Sequence, residues 1–222
     1  MHTGSGVVGV SHRLAGVSGR GVFIAFEGGE GAGKSTQVRL LSDWLRDAGR
    51  VVRVTFEPGD SPVGARLRAI LLGHETGVLA PRTEALLYAA DRAEHVATVV
   101  EPALDDGSVV VTDRYLDSSI AYQGAGRELA AEDVARLSRW ATNDLLPDLT
   151  VLLDVDPEVG RQRFDAPADR LEAEPLAFHH RVRQGFLALA AAAPERYLVV
   201  DAALGPDQIH EQVRERVARL LT

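Results

Sequence analysis

Gly28-Gly29-Glu30-Gly31-Ala32-Gly33-Lys34-Ser35 lies between an apolar run, Val22-Phe23-Ile24-Ala25-Phe26, and a helix-like segment from Thr36 to Ala48. The stretch fits the P-loop pattern G-x-x-x-x-G-K-[ST] in residues and in setting, with a strand before it and a helix after. Its glycines let successive backbone N–H groups turn inward around phosphates, and the helix N-terminus adds a favourable field. Lys34 can neutralise β/γ-phosphate oxygens, and the Ser35 hydroxyl can ligate Mg²⁺. Lys34 is also the only lysine: every other residue in the Lys+Arg total of 24 is arginine. A phosphate cradle accepts a compact ammonium on a flexible stem, and a planar guanidinium is not its equivalent. The stretch therefore reads as a nucleotide phosphate site, and a Gly-rich turn without that role would rarely match both pattern and context.

Outward from the P-loop, strands and helices alternate. Gly21 to Glu27 is the first strand, and Val38, Leu41 and Leu45 recur at core-facing spacing on the helix that closes before Gly49. Val51 to Phe56 forms a second strand, ending in the turn Glu57-Pro58-Gly59-Asp60. Ligands of open α/β sheets sit beyond the carboxyl ends of strands, so Glu57 is a candidate contact as well as a plain turn acid. Ser61-Pro62 opens a helix. A long helix is predicted from about Thr83 to Leu104, with Tyr88 and Arg92 four apart on one face. By pattern alone the pair reads as a surface contact, with stacking on a nucleobase as the other option. Ser108 to Asp113 is a buried-strand pattern ending in a carboxylate, the arrangement of a Walker-B-type aspartate. Arg114, directly after it, offers a fork of donors for a second phosphate. Asp117 to Gly124 is small and polar, and a helix follows from about Ala131 to Asn143. A fourth strand spans Asp148 to Asp154, and Pro157 starts a helix. Phe164 to Glu172 lacks apolar periodicity and reads as a lid flap. A helix bearing Phe178, Val182, Phe186 and Leu189, a strand from Tyr197 to Asp201 and a helix bearing Ile209, Val213 and Val217 complete the chain. The alternation predicts an α/β fold with a parallel sheet and right-handed crossovers.

With 222 residues, 45% of them hydrophobic and 25% charged, the chain suits one α/β domain. No cysteine is present, which excludes disulfides, Cys-ligated zinc and thiol chemistry and fits a reducing compartment. No apolar run approaches a membrane span. A net charge of −8 argues against non-specific nucleic-acid binding, but not against a small anionic substrate held by pocket arginines. Residues 1–20, rich in Gly, Ser and Val, read as a flexible extension rather than a targeting segment.

The ordered set GGEGAGKST, FEPG, YAADR, DRY followed by SSIAYQG, PDLTVLLDVDPEVG, and DRLE before FHHR resembles the bacterial thymidylate (dTMP) kinase family from Gly21 to Leu221. That resemblance implies a P-loop NTPase fold on a five-stranded parallel sheet over 21–222, with a short lid at about 163–173. It also implies transfer of the ATP γ-phosphate to dTMP with Mg²⁺, in a cytoplasmic homodimer without nucleic-acid or membrane partners. ATP would lie on Gly28, Gly29, Glu30, Gly31, Ala32, Gly33, Lys34, Ser35 and Thr36, with Mg²⁺ on Ser35 and Asp113. dTMP would meet Glu57, Tyr88, Arg92, Arg114, Ser118, Ser119, Tyr122 and Gln123, with Tyr88 stacked on thymine, Arg92 on the base edge and Tyr122 crowding the sugar 2′ position. Lys34, Arg114, Glu30 and a lid arginine, Arg170, would be catalytic. Bacterial members commonly have Arg before Glu-Pro-Gly and a second Gly after it. Here those positions are Phe56 and Asp60, which predicts a weakened acceptor site. A kinase for another nucleotide or deoxynucleoside and a nucleotide-binding regulatory module are the alternative readings.

Overall fold

The computed structural model of the chain describes residues 19–163 and 169–221. Its centre is a five-stranded, wholly parallel sheet in the order β2-β3-β1-β4-β5, made of β1 (Phe23–Gly28), β2 (Val52–Phe56), β3 (Val109–Asp113), β4 (Leu149–Asp154) and β5 (Tyr197–Asp201). The order reverses at β1, which pairs with both β3 and β4, and a crevice opens beyond the carboxyl end of such a switch point. β1 is buried along its whole length because helices cover both faces of the sheet. Ile24 and Phe26 point one way, into α1 (Lys34–Asp47) and α9 (Pro206–Leu220), where Leu41, Leu45, Val213 and Val217 are fully enclosed. Phe23 and Ala25 point the other way, into the helices that follow β2 and β3.

Those helices begin with α2 (Pro62–Leu72), whose Ser61 cap accepts the Gly64 N–H at 2.8 Å, with proline in its first turn. After a 3₁₀ turn at His74–Thr76 come α3 (Pro81–His95), a π-helical segment at Val96–Val100 and α4 (Glu101–Asp105). The single helix expected from Thr83 to Leu104 is thus continuous but widened in the middle. Pro102 explains the widening: it has no N–H to donate, and its ring would meet the carbonyl four residues back. Asp117 to Gly124, small and polar in sequence, is helical, as α5 (Leu116–Ser119) and a π-helical stretch at Ile120–Gly126. Its small residues serve packing, since a Cβ on Gly126 would stand 2.6 Å from the Phe178 ring. α6 (Ala131–Ala141), α7 (Pro157–Gln162) and α8 (Leu176–Ala192) complete the element list.

Most of the expected N-terminal extension, and residues 164–168 of the expected lid, lie outside the described residues. Among the described residues, no helix is long and apolar enough to cross a membrane.

Candidate active site

The P-loop turns as its glycines allow. Gly28, Gly31 and Gly33 have φ of 140°, 68° and 89°, values that side chains disfavour, and a Cβ on Gly31 would collide with the Gly160 carbonyl of α7. Lys34, 8% exposed, extends back along the loop, where Nζ donates to the Gly28 carbonyl at 3.1 Å and the Gly29 carbonyl at 2.8 Å. Burial lowers its pKa and so does Arg114, while Glu30 and Asp113 favour the charged form. Ser35 Oγ donates to Asp113 Oδ2 at 2.9 Å, which joins the start of α1 to the end of β3. Two hard oxygen donors side by side at the mouth of the loop are what magnesium takes, together with phosphate oxygens and water. The cavity around them runs over Gly31, Gly33, Thr36 and Gln37 to Arg163, Leu204, Pro206 and Ile209.

A second cavity meets the first. Tyr88, Arg92, Ser118, Ser119, Tyr122 and Gln123 line it, with Glu57, Pro58, Arg68, Leu72 and Leu171. Glu30, Arg114 and Glu172 line both cavities and mark the junction. At the junction Arg114 Nη2 donates to Glu30 Oε1 at 2.6 Å, and Nη1 donates to the Gly28 carbonyl and Ser118 Oγ, both at 3.2 Å. Tyr122 donates its hydroxyl to the same Glu30 oxygen at 2.7 Å and presents its ring to the Arg114 guanidinium 5.1 Å away. Burial would raise the Glu30 carboxyl, but Arg114 and Lys34 outweigh it and hold it at about 2.

The helix reading of Tyr88 and Arg92 as a surface pair does not hold: Tyr88 is 8% exposed and Arg92 2%. This face of α3 is covered by α5 and by the segments carrying Glu57 and Tyr115 rather than by solvent. Arg92 is fixed from both sides, its Nε donating to Glu57 Oε2 at 2.8 Å and its Nη1 to Ser119 Oγ at 3.1 Å. Phe56 and Asp60, the two positions expected to weaken the acceptor site, do not line this cavity. Asp60 turns away to Arg53 and Thr55. Positive charge comes instead from Arg68, whose Nη1 donates to the Pro58 carbonyl at 2.7 Å and whose guanidinium lies 5.8 Å from the Phe56 ring. Arg68 was findable by helical spacing, because it shares a face of α2 with the buried Gly64 and Leu71. Glu172, inside DRLE, carries no comparable sequence signal.

Arg170, expected to reach the transferring phosphate, is engaged elsewhere. Its Nη2 donates to the buried Glu84 at 2.5 Å and its Nε to the Leu71 carbonyl at 2.8 Å, and it does not line the nucleotide cavity. Glu84 is a strong competitor because burial leaves it dependent on its partners Arg127, Gln123 and Arg170. Arg163, which caps the end of α7, lines the nucleotide-side cavity and donates to the Ala202 carbonyl at 2.9 Å and the Gly31 carbonyl at 3.4 Å.

The turn carrying Arg114 is set by Glu27. Arg114 has a left-handed backbone, φ 71°, and Glu27, fully buried below it, accepts the N–H groups of Tyr115 at 2.9 Å and Ser118 at 3.1 Å and the Ser118 hydroxyl at 2.6 Å. Burial, reinforced by the neighbouring Asp117 charge, pushes the Glu27 carboxyl from 4.5 to about 7. An acid whose pKa is raised by folding favours the native state while protonated. Its contribution is complete below pH 4.5 and fades as pH rises through about 7. Glu27→Gln removes that titration, so the thermal midpoint of the variant minus that of wild type should climb from pH 4.5 to about 7 in calorimetry. A flat difference would contradict it.

The thymidylate kinase family profile matches residues 26–213. A thymidylate kinase from Clavibacter michiganensis subsp. michiganensis is 59% identical over 204 residues, covering 90% of this chain and 96% of that protein. One from Cutibacterium acnes is 56% identical over 201 residues, covering 90% and 98%. One from Oleidesulfovibrio alaskensis is 47% identical over 210 residues, covering 90% and 99%.

Proposed function

Because the chain belongs to the thymidylate kinase family, we infer that it transfers the γ-phosphoryl group of ATP to dTMP, giving ADP and dTDP. The observation that carries this reading is the meeting of a P-loop cavity with an aromatic- and arginine-lined cavity at Glu30, Arg114 and Glu172. Donor and acceptor phosphates brought to that junction from opposite sides stand in line. An oxygen of the dTMP phosphate forms the new bond to the γ-phosphorus as the bond to the ADP oxygen breaks.

The residues divide the work by position. Lys34 and the P-loop N–H groups hold the ATP phosphates, and Arg114 clamps the dTMP phosphate through its bidentate fork. Glu30 keeps that fork oriented and faces the acceptor sugar. Tyr88 stacks on thymine, and Arg92, Ser119 and Gln123 address its edge. Tyr122 is packed edge-on against Phe178 and Phe186, both at 6.1 Å, and is tied to Glu30, so it cannot move aside for a 2′-hydroxyl. Ser35 and Asp113 suit magnesium, whose charge would neutralise phosphate oxygens. Arg163 takes the lid role in place of Arg170, which ties the lid to α3 through Glu84. Exposed apolar side chains on adjacent helices, Val63 and Ile70 on α2 and Leu86 on α3, support a homodimer joined through that face. A cytoplasmic location, shared with the co-substrate ATP, belongs to the same proposal.

Transfer of labelled γ-phosphate from Mg·ATP to dTMP, with dTDP as the labelled product, tests the reading. Labelled inorganic phosphate alone would contradict it.

A further inference from the structure

Asp60 is outside the acceptor cavity, yet its contacts lead back into it. Its Oδ2 accepts Arg53 Nη2 at 3.0 Å and the Thr55 hydroxyl at 2.6 Å. Thr55, 2% exposed on β2, has its oxygen 2.5 Å from Nε2 of His95, which is fully buried at the end of α3. His95 Nδ1 is 2.8 Å from Glu57 Oε1, and Glu57 Oε2 takes Arg92 Nε at 2.8 Å. An unbroken line of side chains therefore runs from the protein surface to the arginine at the cavity wall.

Hydrogen-bond accounting gives the line a direction. Thr55 has one hydroxyl proton, and the Asp60 carboxylate takes it, so the Thr55 oxygen accepts from His95 Nε2. Glu57 is an acceptor toward Arg92 and accepts from Nδ1 as well. The ring thus bridges Thr55 and Glu57, with a short contact at each nitrogen. Arg92 and Asp91 are the other charged groups facing this part of the line, and Asp91 is itself engaged by the Gly59 N–H at 3.0 Å. A buried carboxylate keeps its orientation only while both oxygens are paired. If the outer end is cut, His95 loses the group that fixes its ring, and the partner it offers Glu57 opposite Arg92 is no longer held in place. A planar guanidinium reads a base edge only when held in its plane, so the loss passes to the acceptor.

We propose that Asp60, Thr55 and His95 are positioning residues for acceptor binding, acting through Glu57 to hold Arg92 against the base of the bound nucleoside monophosphate. The proposal rests on the reading of this cavity as the dTMP site. Steady-state kinetics on the full chain test it with Thr55→Val, which removes the hydroxyl at nearly constant shape, and Asp60→Ala, which removes a partly exposed side chain. Each should raise KM for dTMP about fivefold, the worth of one net hydrogen bond, with kcat and KM for ATP held within about twofold. Thr55→Ser should restore the wild-type KM. Tyr88→Ala serves as the control on the cavity itself. If it raises KM for dTMP while Thr55→Val and Asp60→Ala do not, the relay is overturned and the site stands. If Tyr88→Ala also leaves KM for dTMP unchanged, the site reading fails and the relay with it. An equal decline of kcat and both affinities in the two relay variants would mean general loosening and would overturn the proposal too.

Discussion

Lys34→Ala should lower kcat by about three orders of magnitude or more while the circular dichroism spectrum stays that of wild type. The ammonium is held before any phosphate arrives, with Nζ 3.1 Å and 2.8 Å from the Gly28 and Gly29 carbonyls, so its charge is in place where the transferring group gathers charge. Preorganised charge in a buried site costs little reorganisation during transfer, and for that reason its removal is expensive. Lys34→Arg should fail nearly as badly, because a planar fork cannot lie along a loop whose glycines leave room for one narrow stem. Turnover in Lys34→Ala above about a tenth of wild type would contradict this role.

Arg114→Ala should reduce kcat/KM for dTMP by about 10²- to 10³-fold, with a much smaller effect on KM for ATP. Its guanidinium bridges Glu30 at 2.6 Å and the Gly28 carbonyl at 3.2 Å, at the one place where both cavities meet. The backbone supplies a control. With φ at 71°, the position favours glycine, so Arg114→Gly should be more stable than Arg114→Ala by about 1 kcal/mol in denaturant titration, yet equally inactive. Activity that followed stability across the pair would mean the loss is structural. Retained dTMP selectivity and rate in both would remove Arg114 from the acceptor clamp.

What the amino-acid order reveals depends on the range of the interaction. The P-loop is legible because its glycines, lysine and serine act through their own backbone turn, and β1, β3 and β4 are legible because burial on both faces leaves continuous apolar runs. Asp113 and Arg114 are legible for a related reason: the strand that ends there delivers them. Tyr88 and Arg92 are not. Helical spacing tells that they share a face, but the partners that cover it, Glu57, Ser119 and Tyr115, come from other segments. The same limit governs Arg170, whose carboxylate partner Glu84 is 86 positions away, and Asp60, whose added charge reads as harm to the acceptor until Arg53 and Thr55 are seen to hold it. The π-helical stretch at Ile120–Gly126 hides among small polar residues because glycine there meets the demand of α8 for close approach, not a demand for a turn.

The decisive experiment is ADP release with Mg·ATP against dTMP, dUMP, dCMP, dGMP and ribo-TMP, using the full chain. Turnover strongly selective for dTMP, with ribo-TMP rejected at the packed Tyr122, is the expected result. Equal turnover across the bases, or none with dTMP while both nucleotides still bind, would contradict it.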